Sequence, residues 1–286
     1  MSTTNDVRRY WNAHPVGVDS VPFERGSREM FEAIYRRWLK IGTPRRAEFL
    51  ASCQGKKVLE VGCGVGTDGR YLSEGGVDYQ AVDLSFQSLK LAQEHFRLCD
   101  LPGRFVNADA TRLPFADHTF DVVYSFGVLH HVPDTRAACR EVIRILKPGG
   151  MVRVMLYGRH SYHYYFVLGV VYPLIWLLLR LPGADAIARL GPRKLRDVFA
   201  VCRQHGLSPK RLLDVSTDTS TAGQDNYNPH SSFYSKSDAM ALFAGFEDFE
   251  FWKSEIKYFP LPWFRSWAEK RFGFFLHMTA RKPKGR

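Results

Sequence analysis

Val58–Leu72 reads VLEVGCGVGTDGRYL. Val58, Leu59 and Val61 supply the apolar residues of a short strand, Gly62, Gly64 and Gly66 a glycine-rich turn, and a helix starts at about Thr67. Glycine reaches positive φ and lets a ligand approach bare backbone. The helix start adds unpaired N–H groups and the positive end of a dipole. Strand, glycine turn and helix together make a nucleotide-type cradle. A G-x-G-x-G spacing alone is shared with the dinucleotide fingerprint, so its neighbours must decide.

Working outward, Asp78–Val82 is a second short strand ending in Asp83, some twenty residues beyond the glycine turn. An acidic residue at the tip of the second strand of a βαβ unit is placed to accept the hydroxyls of a ribose. The alternative is that Asp83 only caps the helix Ser85–Phe96. Arg104–Ala108 is a third strand, followed by Asp109, and Phe120–Phe126 (FDVVYSF) is an apolar run expected in a buried strand. The spacing predicts an amphipathic helix over Thr135–Lys147, ended by Pro148-Gly149-Gly150, and a fifth strand over Met151–Tyr157. Alternating strands and helices imply an α/β, doubly wound parallel sheet, whose ligands sit beyond the carboxyl ends of the strands. Glu60, Asp83, Asp109 and Ser125 fall at or near such ends.

These residues resemble the class I S-adenosylmethionine-dependent methyltransferases, in particular the small-molecule group that includes the ubiquinone/menaquinone-biosynthesis enzymes. VLEVGCGVGTDGRYL resembles the first motif, AVDLS the ribose-binding acidic loop, NADATRLPF the adenine-side loop, FDVVYSFGVLHHVPD the fourth-strand motif and LKPGG the turn before strand five. The resemblance implies a Rossmann-like seven-stranded sheet closed by an antiparallel final strand pair, with FFLHMTARKP similar to the seventh strand. It implies S-adenosyl-L-methionine as cofactor and S-adenosyl-L-homocysteine as product. Glu60 and the loop Gly62, Cys63, Gly64 and Gly66 would then hold the methionine part. Asp83 and Leu84 would bind the ribose, Asp109 and Ala110 the adenine, and Ser125–His130 would line the methyl-transfer face. Ser125-Phe126-Gly127-Val128 departs from the Asn/Asp-Pro-Pro-Tyr motif of enzymes that methylate DNA bases or glutamine amides, so those substrates lose favour.

The 286 residues are 45% hydrophobic and 24% charged, enough for a sizeable core. Five scattered cysteines with no CxxC pair argue against a disulfide framework or zinc site and for a reducing compartment. MSTTNDVRRYW lacks the apolar run of a signal peptide, so a cytoplasmic location is expected. The net charge of +11 is spread along the chain without a recognised nucleic-acid module, which sets nucleic acid aside as a partner.

Four parts are expected: an N-terminal helical lid (1–50), the cofactor-binding core (51–157), a helical and loop insertion between strands five and six capping the substrate (158–234), and the last helix and strands (235–286). In the insertion, YYFVLGVVYPLIWLLL (Tyr164–Leu179) carries no charge. A single membrane crossing is rejected, because it would separate two strands of one sheet. Burial in a helix pair or oligomer contact is favoured over peripheral membrane contact through 162–181.

Methyl transfer is an in-line displacement, which needs alignment, exclusion of water and, for some acceptors, removal of a proton. His130 and His131 are the candidate base or acceptor-positioning residues. The opposing reading is that LHH is a structural turn. Tyr10, Trp11, Tyr157, Tyr227 and His230 are candidate substrate contacts, with Asp225 and Asn226 on the same polar loop. No metal-ligand cluster stands out. The expected acceptor is a small apolar or aromatic molecule. A lipid-like or isoprenoid acceptor at a membrane and a non-catalytic cofactor-binding scaffold are the alternatives.

Overall fold

The computed structural model describes residues 2–41, 44–191, 193–217, 228–256 and 261–284. Its strands are β1 (Lys57–Val61), β2 (Asp78–Asp83), β3 (Arg104–Asn107), β4 (Phe120–Phe126), β5 (Leu146–Gly158), β6 (Phe233–Tyr234), β7 (Glu247–Ser254) and β8 (Phe275–Arg281). They form one sheet in the order β3-β2-β1-β4-β5-β8-β7. The first five strands are parallel, and β8 runs antiparallel between β5 and β7. The short β6 pairs in parallel with the end of β5, at Tyr157 and Gly158.

The helices are α1 (Thr4–Ala13), α2 (Arg28–Ile41), α3 (Pro44–Ala51), α4 (Thr67–Glu74), α5 (Phe86–Leu98), α6 (Thr135–Ile145), α7 (Tyr162–Phe166), α8 (Tyr172–Leu178), α9 (Ala184–Leu190), α10 (Arg193–His205), α11 (Pro209–Ser216), α12 (Lys236–Leu242) and α13 (Arg265–Phe272). Alternation along the strands sends side chains to opposite faces of the sheet. Leu59, Val61, Val123, Val152 and Val154 pack with Ala138, Val142 and Ile145 of α6 and Phe243. Val58, Tyr79, Ala81, Val122 and Tyr124 pack with Phe49, Leu72, Leu89 and Phe96 on the other face. Both faces are covered, which explains why apolar residues fall on both sides of β1 and β4.

Three expectations need correction. Helix α6 stops at Ile145, and LKPGG belongs to β5, with Leu146 paired to Phe120 across a register shift. Pro148 disfavours the helical conformation for Lys147, so the chain turns extended before the proline is reached. Beyond the insertion, β6 and α13 were not foreseen, and the strand expected over Phe246–Tyr258 is Glu247–Ser254, with residues 257–260 outside the described set.

The apolar run, finally, is not wholly buried. It forms α7, a π-helical turn (Val167–Val171) and α8. Val167, Ile175 and Leu178 enter a cluster with Phe199, Leu212, Phe233 and Phe274, whereas Tyr165, Phe166, Val170, Leu174, Trp176 and Leu177 stay exposed. No helix among the described residues is long and apolar enough to cross a membrane.

Candidate functional site

A cavity of about 340 Å³ lies beyond the carboxyl ends of β1, β2, β4 and β5. The glycine turn forms its floor, and each glycine does something different. A Cβ on Gly62 would lie 2.2 Å from a Val128 methyl, so this position lets the loop after β1 touch the loop after β4. At Gly64, with φ +55°, a Cβ would meet nothing within 4 Å, and the residue lines the cavity. Gly66 packs on Phe96 and Ala92 of α5 and does not line the cavity.

Asp83 faces the same space. Its carboxylate accepts from Gly64 N at 2.9 Å and Ser85 N at 2.8 Å, so it pins the turn. Asp83 is half-buried by area but ringed by protein in depth. That burial pushes its carboxyl up to about 6, although the Ser85, Gly64 and Leu84 amides pull it down. The helix-cap alternative goes to Ser85 instead, whose hydroxyl accepts from Ser88 N at 3.0 Å. Leu84, Asp109 and Ala110 also line the cavity, and Asp109 holds its own turn by accepting from Thr111 N at 2.9 Å.

Glu60 is buried at the end of β1 and accepts from the Tyr79 hydroxyl at 2.5 Å. Burial pushes its carboxyl well above the usual range and Asp68 adds to this, while Tyr79 and Arg46 oppose it. Arg46 on α3 and Asp68 on α4 form a buried bidentate ion pair, with Nε donating to Oδ1 at 2.7 Å and Nη2 to Oδ2. Trp38 Nε1 and the Tyr124 hydroxyl each donate to the same Asp68 Oδ1 at 3.2 Å. The guanidinium lies 4.2 Å from the Phe126 ring centre and 4.5 Å from that of Trp38. Burial alone would lower the proton affinity of Arg46, but Asp68 outweighs it and the group stays charged.

The other wall is aromatic and apolar, with Trp11, Phe126, His131, Met155, Tyr157 and Phe275. Trp11 comes from α1, which also contributes Thr4 and Val7 to the cavity and is docked at the start of α5. There the Ser85 hydroxyl lies 3.1 Å from both the Trp11 carbonyl and Asn12 Oδ1. Trp11 meets the His131 ring at 5.4 Å between centres, and Tyr157 meets it at 5.3 Å.

His131 Nδ1 lies 2.8 Å from the His230 carbonyl and 2.7 Å from Asn228 Nδ2. The carbonyl can only accept and the amide NH₂ only donate, so the tautomer decides which contact is a hydrogen bond. Burial pushes the His131 imidazole down to about 3, although the His230 carbonyl favours its charged form. The ring is neutral at physiological pH.

The remaining sequence candidates sit elsewhere. His130 is fully buried behind the wall, 3.8 Å from the Tyr157 ring centre, and burial also pushes its imidazole well down. Ser125 donates to the Val61 carbonyl at 3.0 Å, between β4 and β1, and does not reach the cavity. Tyr10 is buried on the far side of α1 and packs edge-on against Trp11. His230 supports His131 through its carbonyl, and its Nδ1 lies 3.0 Å from the Ser2 hydroxyl. Asp225, Asn226 and Tyr227 lie outside the described residues. Sequence reasoning placed Trp11, Phe126, His131 and Tyr157 near the acceptor and missed Arg46, Trp38, Asp68, Asn228 and, in the wall, Met155 and Phe275. Asp68 had a signal, as an acidic residue in the first turn of the helix after the glycines. Arg46 had none, because its place depends on how α3 packs.

Residues 59–154 match the sequence family described as a methyltransferase domain. Phosphoethanolamine N-methyltransferase 3 of Arabidopsis thaliana is 40% identical over 106 residues, which is 37% of this chain but only 22% of that enzyme's length. The ubiquinone biosynthesis O-methyltransferase of Bordetella avium (strain 197N) is 26% identical over 260 residues, 83% of this chain and 95% of that one. Among solved structures, a chain of the Haloferax volcanii complex between the Trm112 methyltransferase activator and a methyltransferase superposes with a TM-score of 0.57. It covers 98% of this chain and 99% of that one at 17% identity, a likeness of fold.

Proposed function

Since this chain belongs to the class I S-adenosyl-L-methionine-dependent methyltransferases, we propose that it methylates a small apolar or aromatic acceptor held against the Trp11–His131–Tyr157 wall. One observation carries the reading: a single cavity joins the open glycine cradle, the buried Glu60 and the half-buried Asp83 to an aromatic wall. The residues suit the cofactor. Gly64 leaves room for a ligand against bare backbone, Asp83 offers acceptor oxygens for ribose hydroxyls, and Glu60 offers a carboxylate for an ammonium group. In this reading the turn 62–66 and Glu60 hold the methionine end, Asp83 and Leu84 the ribose, and Asp109 and Ala110 the adenine side.

When bound, the cofactor supplies a methyl group activated by its sulfonium. The chain supplies alignment and exclusion of water. Val7 and Trp11 of α1 close the cavity as the lid, and Tyr157, Phe126 and Phe275 form a wall suited to a flat or aliphatic acceptor. His131, neutral and buried, is a weak base. Its role in this proposal is to position the acceptor through whichever ring nitrogen faces it.

Two results are expected. His131→Asn raises the acceptor KM and lowers kcat/KM by about 10–100-fold, while the pH–rate profile between about pH 6 and 9 keeps its shape, because a neutral imidazole does not titrate there. A loss restored by raising the pH would instead identify His131 as a base. The second concerns Asp83, which must be ionised to accept two ribose hydroxyls but takes up a proton near pH 6 when free. Cofactor affinity in calorimetry therefore falls as pH drops below about 6, by about tenfold per unit. Asp83→Asn binds weakly at every pH and shows a shallower dependence, the remainder coming from Glu60, whose raised carboxyl must also lose its proton to hold an ammonium group. The whole reading is tested by calorimetry with S-adenosyl-L-methionine and S-adenosyl-L-homocysteine, followed by an acceptor panel scored by release of the demethylated product. Absence of heat with either would leave a scaffold on a methyltransferase fold.

A further inference from the structure

We propose that the outer face of the 162–181 segment is a docking surface for an anionic phospholipid bilayer. Phe166, Val170, Leu174, Leu177 and Leu181 are all exposed and recur at helical spacing, so they form one stripe along α7, the π-helical turn and α8. The opposite side of the same segment, at Val167, Ile175 and Leu178, is locked into the insertion's core. The stripe is therefore a fixed surface of a packed element. Apolar area of this extent on a folded chain marks an interaction site.

The chemistry around the stripe selects the occupant. Trp176 is exposed, and the Arg180 guanidinium stacks 3.6 Å from its ring centre, an aromatic–cation pair suited to the headgroup level. From Arg159 to Asp214 the sequence holds nine lysines and arginines against Asp185, Asp197 and Asp214, and Arg189, Arg196 and Arg203 are exposed. A strongly cationic surround repels a second copy of itself and attracts an anionic leaflet.

A second exposed aromatic set continues the pattern. Trp263, Phe264 and Trp267 sit at and before α13, beside Arg265, Lys270 and Arg271. Lys253 Nζ donates to the carbonyls of His160, just before α7, and of Arg271, at the end of α13 at 3.2 Å, tying the two sets together. A surface of exposed apolar and aromatic side chains next to basic ones binds in the interface plane, its affinity combining apolar burial with attraction to anionic headgroups.

This surface goes beyond methyl transfer, and its test needs no turnover, so either reading can fail alone. The full chain is spun with vesicles of phosphatidylglycerol and phosphatidylcholine, and with phosphatidylcholine alone. Pelleting with the anionic vesicles, weakened by about 0.5 M salt, is expected. Leu174→Glu/Leu177→Glu should lower partitioning by about tenfold or more with the circular dichroism of the parent. Arg189→Gln/Arg196→Gln, which removes two exposed charges, should weaken the anionic preference without touching the apolar stripe. Protein left in the supernatant with anionic vesicles overturns the proposal, as does undiminished pelleting of both variants. A dimer in analytical ultracentrifugation that the leucine variant splits, without vesicle binding, also overturns it and makes the face a contact between copies.

Discussion

Replacing Gly64 with asparagine is expected to weaken S-adenosyl-L-homocysteine binding by about a hundredfold or more while shifting the melting temperature little. Asparagine tolerates the left-handed backbone that φ +55° demands. Its side chain enters space where nothing lies within 4 Å, in the floor of the cavity. The damage falls on whatever ligand approaches the bare backbone there. Gly62→Ala should do the reverse. Its Cβ would stand 2.2 and 2.5 Å from the two Val128 methyls, at φ +80°, next to an amide that donates to the Val82 carbonyl at 2.7 Å. Strain of that kind costs about 3 kcal/mol or more, seen as a loss of stability in urea, and Val128→Ala in the same chain should recover part of it. If Gly64→Asn binds as tightly as the parent, the cradle is not where the cofactor sits.

Arg46→Met should destabilise the fold by about 3–5 kcal/mol, because it strands the Asp68 carboxylate in a buried pocket. The side chains of both partners are largely shielded, at 8% and 11% exposed, so solvent screens little of the loss. Trp38 and Tyr124 would still donate to Asp68, but two neutral hydrogen bonds do not replace a bidentate guanidinium. For a chain of this size the melting temperature falls by about 10 °C. The double variant Arg46→Met/Asp68→Leu should regain most of the loss, since a buried pair exchanged for apolar groups is often close to neutral. A single variant that costs less than about 1 kcal/mol would show that the pair is hydrated in solution and that α3 does not seal the cavity.

The pair also shows where sequence reading ended. Local pattern fixes element type, and β1 through β5, the glycine turn and Asp83 could be placed because each signal lies within a few residues of its cause. A wrong boundary arose where two local signals competed: the apolar periodicity of α6 runs into Leu146, but Pro148 turns the chain extended before Lys147. Arg46, Trp38 and Asn228 carry no such pattern. Arg46 and Trp38 reach the cavity, and Asn228 reaches the His131 ring, because α3, α2 and the segment before β6 pack onto the sheet ends, and packing is a property of surfaces far apart in sequence.

What the sequence by itself determined was the alternating α/β chain, the end of its sheet at which the cavity opens and the glycine turn that floors it, since strand period, glycine spacing and the acidic strand tip are encoded residue by residue. Only the tertiary structure decided that His131 and not His130 faces the cavity, that Ser125 ties two strands together instead of meeting a ligand, and that the 164–179 run buries one side and exposes the other. The reason in each case is direction. A sequence shows that a side chain is apolar or titratable, but which way it points depends on what the rest of the chain has placed against it.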